Sequence, residues 1–400
     1  MDIKYLNINS LNDFYSLMFY TRDIKKLIVN DILNNKICNS EMIDLLKEAL
    51  EILNNLPGNQ YEKIINHHNT QVKLNLFYEI SELQKDIYFL LHKEQDFYEY
   101  LSNLNPNFFK QIAEGKDFLA NNKFKNLISD RDGTVNNYCG RYNSSIQSIY
   151  NAVFLSRYAI YSAENTVILT SAPLKNVGLL DMSVSPDNLF IYAGSKGREY
   201  LDKNNNEHYL SIDSEKQKIL DKLNNEIDNL LNNEEYQIFS LIGSGFQKKF
   251  GQTTIARQDI YNSIPPDISE SFFNKIINLV NYVDPNKKYL SIEDTGLDIE
   301  IILNINNEDN ELKDFDKGDG IEFLDRNIPL NINKLGAIIC GDTKSDIPML
   351  TTAIKKTNNV ATIFVTNDDN LKESINNICA NSYFVSSPDI LVTLLNEINK

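Results

Sequence analysis

The stretch NLISDRDGTVN, residues 126–136, decides how the rest of the chain is read. Leu127 and Ile128 form a short apolar run of the kind that makes a buried strand. Asp130 and Asp132 follow one residue apart, and Gly133 and Thr134 come next. Two carboxylates where a strand enters a tight turn can hold a divalent cation and attack phosphorus. Gly133 permits the sharp turn, and exposed amides around Gly133 and Thr134 can receive phosphoryl oxygens. The plain alternative is an Asp-Gly turn without chemistry, so the stretch needs partners.

Three further stretches supply them. Val167-Ile168-Leu169 is an apolar run that ends in the hydroxyls Thr170 and Ser171. Thr170, the first past the run, is the favoured donor to a phosphoryl oxygen. Asp316-Lys317-Gly318-Asp319-Gly320 sets a lysine before a glycine, where it can approach a phosphate as a point cation. In LGAIICGDTKSDIPML, residues 335–350, an apolar strand delivers Gly341 and Asp342 into a loop. Asp346 lies at the expected start of a helix. Asp342 and Asp346 so placed can hold a cation, one directly and one through water. Taken singly, these stretches also read as a strand end, a surface lysine and a helix N-cap. Their co-occurrence tips the reading toward a metal-assisted site.

Bulk properties narrow the class. Four hundred residues suffice for two or three domains, and 42% apolar residues make the chain globular. The formal charge of −16 argues against general nucleic-acid binding, which needs clustered Lys and Arg. It leaves room for a small anionic substrate met by local positive charge or a metal. Cys38, Cys139, Cys340 and Cys379 are far apart and form no CxxC pair, so reduced thiols in a cytoplasm are expected. The start MDIKYLNINSLNDF shows no basic and apolar signal pattern. No apolar run has the length of a membrane helix.

Three textures divide the chain. Residues 1–120 read as a helical segment. SEMIDLLKEALEIL carries Met42, Leu45, Leu46, Ala49, Leu50 and Leu53 at helical spacing, with Ser40 as the expected N-cap. A turn is expected at Leu56-Pro57-Gly58-Asn59. Leu76, Ile80, Leu83, Ile87 and Leu90 make a second helical seam. His67 and His68 in INHHNT are expected to be solvated surface residues. Residues 121–200 and 312–400 alternate apolar runs with helical periods, the pattern of an α/β domain with a parallel sheet. Strands are expected at 124–129, 166–170, 189–193, 335–340 and 361–365, with a crossover helix over 144–161. Residues 201–311 read as an inserted α+β cap, with helices over 214–232 and 271–283 and strands over 289–292 and 299–305. Gln252, Thr253, Thr254, Arg257, Gln258 and Asp259 form a polar cluster there, suited equally to sugar recognition and to an exposed loop or helix end.

Together the four chemical stretches resemble the haloacid dehalogenase superfamily of aspartate-nucleophile phosphatases. The resemblance implies a Rossmann-like parallel-sheet core, Mg²⁺ as cofactor and an aspartyl-phosphate intermediate. It makes Asp130 the nucleophile, Asp132 the general acid/base, Thr170 a phosphate-binding hydroxyl and Lys317 the cation that stabilises the phosphorylated aspartate. Asp130, Asp342 and Asp346 become metal carboxylates, and Asp132 joins the metal shell through its carbonyl. The insert between Ser171 and Lys317 resembles the α/β caps of the sugar-phosphatase branch, which includes trehalose-6-phosphate and sucrose-phosphate phosphatases. Residues 193–199, AGSKGRE, are similar to the turn leading into such caps, which places Lys196 and Glu199 within reach of sugar hydroxyls. Residues 296–300, GLDIE, are similar to the returning strand. Gln252 and Arg257 are the cap residues carried forward as sugar contacts.

Within that branch, NSSIQSIYNAVFLSRYA, ILTSAPLKNVGLLDMSV, YAGSKGREYL and GQTTIARQDI look closest to glucosylglycerol-phosphate phosphatases. The expected substrate is therefore a glycosyl-polyol phosphate, with glucosylglycerol 3-phosphate leading, in osmolyte synthesis. Trehalose 6-phosphate and sucrose 6-phosphate are the rivals. Thr170-Ser171-Ala172 departs from the Ser-Gly-Arg that many relatives carry there. A protein whose helical segment docks the upstream glycosyl-phosphate synthase is the reading from a different class. A sugar mutase is a poor fit, because only one helix fits between Asp132 and Thr170.

Overall fold

A computed structural model describes residues 8–68, 70–120, 124–304 and 315–398. The N-terminal part holds helices Leu11–Leu33, Ser40–Asn55, Phe77–Leu91, Glu94–Leu104 and Phe108–Leu119. It also holds an antiparallel hairpin, β1 (Glu62–His67) and β2 (Thr70–Asn75), where an all-helical segment was expected. Ile65, Val72 and Leu74 point inward at strand spacing. Lys63 and His67 occupy buried positions too, while Ile64 faces out, so the apolar pattern is scrambled. Lys63 Nζ donates to the carbonyls of Asn54 (2.6 Å) and Leu56 (3.2 Å), satisfying the end of the preceding helix. His67 is thus buried rather than solvated, and burial lowers its pKa. His68 turns the hairpin with φ 49° and is exposed. The N-cap of Ser40–Asn55 is Asn39, not Ser40. Its side chain accepts from the Glu41 amide at 3.0 Å.

The central sheet begins with β3 (Asn126–Ser129), β4 (Asn165–Leu169), β5 (Ile191–Gly194), β6 (Glu199–Leu201) and β7 (Glu207–Tyr209). The chain then builds the cap with β8 (Phe246–Lys249), β9 (Gln252–Ala256), β10 (Leu290–Asp294) and β11 (Asp298–Leu303). It returns to the sheet with β12 (Ala337–Gly341), β13 (Val360–Val365) and β14 (Ser382–Val385). The strand order is β14-β13-β12-β3-β4-β5-β6-β7. The pairings from β14 to β5 are parallel, and β6 and β7 extend the edge antiparallel. A cap starting at 201 is therefore a correction. Asp202 accepts from the amides of Asn204 and Asn206, both at 2.8 Å, and folds KNNN into a turn that keeps β7 in the sheet. β14 carries no expectation from sequence, and the far end of the strand expected over 299–305 lies outside the described residues.

Both sheet faces are covered. Leu127, Ile338 and Cys340 share a core with helices Ile149–Tyr161 and Pro388–Glu397, while Ile128, Ala337 and Ile339 face Lys317–Asn327, Ile347–Lys356 and Asp369–Ile378. Burial on both faces is why these strands read as continuous apolar runs. The first core is continuous with that of the N-terminal helices.

The cap sheet has the order β10-β11-β9-β8. Ile255, Ile299 and Ile301 pack with residues of helices Ser214–Leu231 and Pro266–Val283. Cross-strand partners share a face, and β9 pairs Thr254 with both Glu300 and Gln247, and Gln252 with Lys249. Gln247, Lys249, Gln252, Thr254, Asp298 and Glu300 therefore form one polar face. The expected loop or helix end at GQTTIARQD is instead a strand whose five residues are all buried.

Candidate active site

Parallel sheets form sites at the carboxyl ends of their strands, and three adjacent strands, β12, β3 and β4, end in the expected residues. The register pairs Cys340 with Ser129 and Ser129 with Ile168, so the three loops leave the sheet at one level. Asp130 follows β3, its amide held by the Cys340 carbonyl at 3.0 Å. Asp342 follows β12, and Thr170 follows β4.

The fourth strand-end partner arrives on a helix. Lys317 opens Lys317–Asn327, and Asp316 caps it, accepting from the amides of Gly318 (2.8 Å) and Asp319 (3.0 Å). A Cβ on Gly318 would come 2.6 Å from the Pro348 carbonyl oxygen, and one on Gly320 would come 2.2 Å from that of Lys196. Those two small residues let the helix press down until Lys317 Nζ reaches Asp130 Oδ1 (2.5 Å) and Asp346 Oδ1 (2.6 Å). Asp346 Oδ2 accepts from the amides of Asp342 (3.1 Å) and Thr343 (3.0 Å).

Asp130, Asp342 and Asp346 each offer an oxygen such that the three lie within 4.8 Å of one another. The Lys317 ammonium bridges two of these three carboxylates, Asp130 and Asp346. Burial pushes Asp130 up to about 8 even though Lys317 opposes the shift. Burial, with Asp346 beside it, pushes Asp342 up to about 6. Lys317 is held above its ordinary range by Asp130 and Asp346 against the opposing effect of burial. An all-oxygen donor set short of positive charge fits a hard divalent cation. Gly133, with φ +86°, permits this closeness, because a Cβ there would come 2.3 Å from Asp342 Oδ2. Thr134 Oγ1 donates to Asp342 Oδ1 at 2.8 Å and lies 3.4 Å from Asp130 Oδ2. Its hydroxyl thus bridges two of the acids.

The Asp132 carboxylate stands apart from this cluster. Its Oδ1 is bonded by Arg131 (2.5 Å) and Ser145 Oγ (3.0 Å). Thr170 is buried and its Oγ1 accepts from the Ala172 amide at 3.3 Å. Ser171 is half-buried beside it. Lys196 adopts the left-handed conformation, φ 62°, with its amide on the Thr170 carbonyl at 2.9 Å, which sets it at the core–cap junction.

Other expected sugar contacts are placed differently. Glu199 is buried and accepts from Ser195 Oγ (2.6 Å) and the Leu174 amide (3.1 Å), which holds the junction turn. Arg257 bonds Asp294 (2.6 Å), Glu270 (2.9 Å) and Ser269 (3.2 Å), which commits it to the cap scaffold. Thr253 bonds Asn224 at 2.6 Å on the helix side. Gln252 does lie on the polar face, 3.1 Å from Glu300.

That face meets the core. The Phe250 amide donates to Ser195 Oγ at 2.9 Å, and Gly251 abuts Arg198. Burial pushes Lys249 down to about 8 despite Glu300 and Asp298 nearby, and Lys196 and Arg198 deepen the shift. Gln247 and Lys249 carried no sequence expectation; Thr254 stood in the polar cluster and Asp298 and Glu300 in the returning strand, but none of these three was carried forward as a sugar contact. Once β9 is taken as a strand, period-two alternation finds Gln252 and Thr254, and the register finds the rest. A cleft of about 240 Å³ touches this face at Asp298 and is bounded further by Tyr78 of the N-terminal part, Tyr138 and Arg141 of the core, and Ser244 and Tyr261 of the cap.

Residues 127–391 match the family model described as trehalose-6-phosphate phosphatase, C-terminal. The chain belongs to the trehalose-6-phosphate phosphatase family. Residues 10–108 also match that family's N-terminal helical bundle domain. Among curated relatives, an alpha,alpha-trehalose-phosphate synthase [UDP-forming] 2 of Aphelenchoides avenae is 31% identical, over 98% of this chain and 32% of its own length. The trehalose-phosphatase of Brugia malayi is 28% identical, over 98% of this chain and 86% of its own. That of Caenorhabditis elegans is 28% identical, over 95% and 94%. The chain thus spans about a third of the length of the synthase relatives it matches. Family membership replaces the expected likeness to glucosylglycerol-phosphate phosphatases with the trehalose branch. Among the described residues, no helix is long and apolar enough to cross a membrane.

Proposed function

We propose that this chain is a Mg²⁺-dependent phosphatase that hydrolyses trehalose 6-phosphate to trehalose and phosphate. The observation that carries the chemistry is the convergence of Lys317 on Asp130 and Asp346, with Asp342 completing the acidic cluster. The sugar rests on the family, and on the polar cap face that offers hydroxyl partners beside the cleft. Asp130 attacks phosphorus and the bond to the sugar oxygen breaks, leaving an aspartyl-phosphate. Asp132 gives its proton to the leaving oxygen, then takes one from the water that attacks the phosphorylated aspartate. Lys317 and the Thr170 hydroxyl stabilise the transferring phosphoryl group. Asp130, Asp342, Asp346 and the Asp132 carbonyl would hold Mg²⁺, which when bound would supply the positive charge that lets carboxylate meet phosphate. The cap shields this site from bulk water.

Phosphate release is measured across trehalose 6-phosphate, sucrose 6-phosphate, glucosylglycerol 3-phosphate and mannosylglycerate phosphate. Trehalose 6-phosphate is expected to be hydrolysed fastest, EDTA to stop the reaction and Mg²⁺ to restore it. Faster release from glucosylglycerol 3-phosphate would overturn the substrate. A rate indifferent to chelation would remove the metal assignment.

A further inference from the structure

The N-terminal helix Phe77–Leu91 lies against the loop that leaves Asp130, and one of its faces holds that loop along its length. Glu79 accepts from Arg141 (2.5 Å) and Ser144 (2.5 Å). Glu82 accepts from Asn137 at 3.0 Å and also from Ser148. Asp86 accepts from the Ile149 amide at 2.7 Å. Positions 79, 82 and 86 recur at helical spacing, so a single stripe of the helix does this.

Tyr78 extends the stripe toward the chemistry. Its hydroxyl donates to the Ile146 carbonyl at 2.7 Å and receives Asn136 Nδ2 at 3.0 Å. Asn136 Nδ2 also reaches Ser145 Oγ at 3.4 Å, and Ser145 Oγ donates to Asp132 Oδ1 at 3.0 Å. The Asn136 backbone closes the turn that carries Asp132. Its amide donates to the Arg131 carbonyl (2.8 Å), and its carbonyl accepts from the Gly133 amide (2.7 Å). Tyr78, Asn136, Ser145 and Arg131 are all buried, with no more than 4% of their surface exposed. Water therefore does not compete for these bonds, and their geometry is passed on.

We propose that the N-terminal part belongs to the catalytic apparatus, with Tyr78 as a positioning residue that fixes the Asp132 carboxylate for proton transfer through Asn136 and Ser145. This rests on Asp132 acting as the acid in the function proposed above. A misplaced acid slows departure of a sugar alkoxide, which needs a proton. It hardly slows departure of p-nitrophenolate, which leaves without one. Loss of fold or of phosphate binding slows both alike.

The test compares kcat/KM for trehalose 6-phosphate and for p-nitrophenyl phosphate in the full chain, wild type against Tyr78→Phe. The variant keeps the buried ring and removes the hydroxyl. The expected loss is about ten-fold on the sugar phosphate and under about two-fold on the aryl phosphate. Asn136→Ala should show the same split. Tyr98→Phe is the control, since the Tyr98 hydroxyl serves Glu94 (3.0 Å) and Glu397 (2.8 Å), away from this turn. It should leave the ratio of the two substrates unchanged. Equal losses on both substrates in Tyr78→Phe and Asn136→Ala, or no loss in either, would overturn the positioning role. A wild type that cleaves the aryl phosphate and a different sugar phosphate overturns only the choice of trehalose, and the comparison is then run with the sugar phosphate it does cleave. A wild type that cleaves neither class overturns both.

Discussion

Asp130 and Asp132 sit one residue apart and are held in opposite ways. Asp130 is buried against Lys317, Asp342 and Asp346, where its charge must be matched. Asp132 points to Arg131 and Ser145, with about a fifth of its side chain exposed. One environment suits a nucleophile under a phosphate, the other a group that exchanges a proton with leaving group or water. Asp130→Asn keeps the volume and an acceptor for Lys317 but removes the attacking oxygen. Phosphate release is expected to fall on the order of a thousand-fold or more, with little change in thermal unfolding. Turnover near the wild-type rate would place the nucleophile elsewhere. The grouping of Asp130, Asp342 and Asp346 was readable in sequence, because the first two follow apolar runs at a turn and the third stands four residues on where a helix starts. Arg131 and Ser145 were not, since an arginine between two acids and a serine in NSSIQS carry no pattern of their own. Their roles exist only once the loop has folded back on itself.

At the level of the elements, the cap sheet divides its residues by a rule the sequence states weakly. Thr253 and Ile255 serve the helices, while Gln252 and Thr254 serve the cleft face. Taken as a loop, GQTTIARQD offers six equal candidates; taken as a strand, it separates them. Arg257 drops out because three partners already hold it. Glu300 enters because it pairs across from Thr254. Removing its charge should weaken sugar binding without touching the phosphoryl chemistry. For Glu300→Gln, KM for trehalose 6-phosphate is expected to rise about ten-fold, as loss of a charged hydrogen bond implies. KM for p-nitrophenyl phosphate should stay within about two-fold. Equal rises would show that Glu300 supports the fold of the cap and not the sugar. The hairpin β1–β2 escaped notice for a related reason. Its inward positions carry Lys63 and His67, whose partners cannot be foreseen from a pattern of apolar residues. The parallel strands β3, β4, β5, β12 and β13, buried on both faces, needed no such partner and were found within a few residues of their ends, whereas the half-buried β14 was not.

Across the whole molecule, the N-terminal part and the core share one interior, and buried ions cross between them. Lys85 lies 2.8 Å from Glu82 of its own helix and 2.9 Å from Asp389 of the last helix, with all three buried. Lys85→Met would leave two carboxylates without their cation. A loss of about 3–5 kcal/mol is expected, read by urea unfolding at neutral pH. A change under about 1 kcal/mol would mean that the two parts do not depend on this ion cluster. These long-range pairs bear on how the protein is made. Lys317 and Asp130 are separated by 187 positions, and Lys85 and Asp389 by 304. β3 gains its β12 neighbour only after the whole cap has been synthesised. On the ribosome, the Asp130 turn must therefore wait, without Lys317, for a further 187 residues. Catalytic competence arrives late and all at once, so a chain cut short within the cap would leave no partly active fragment.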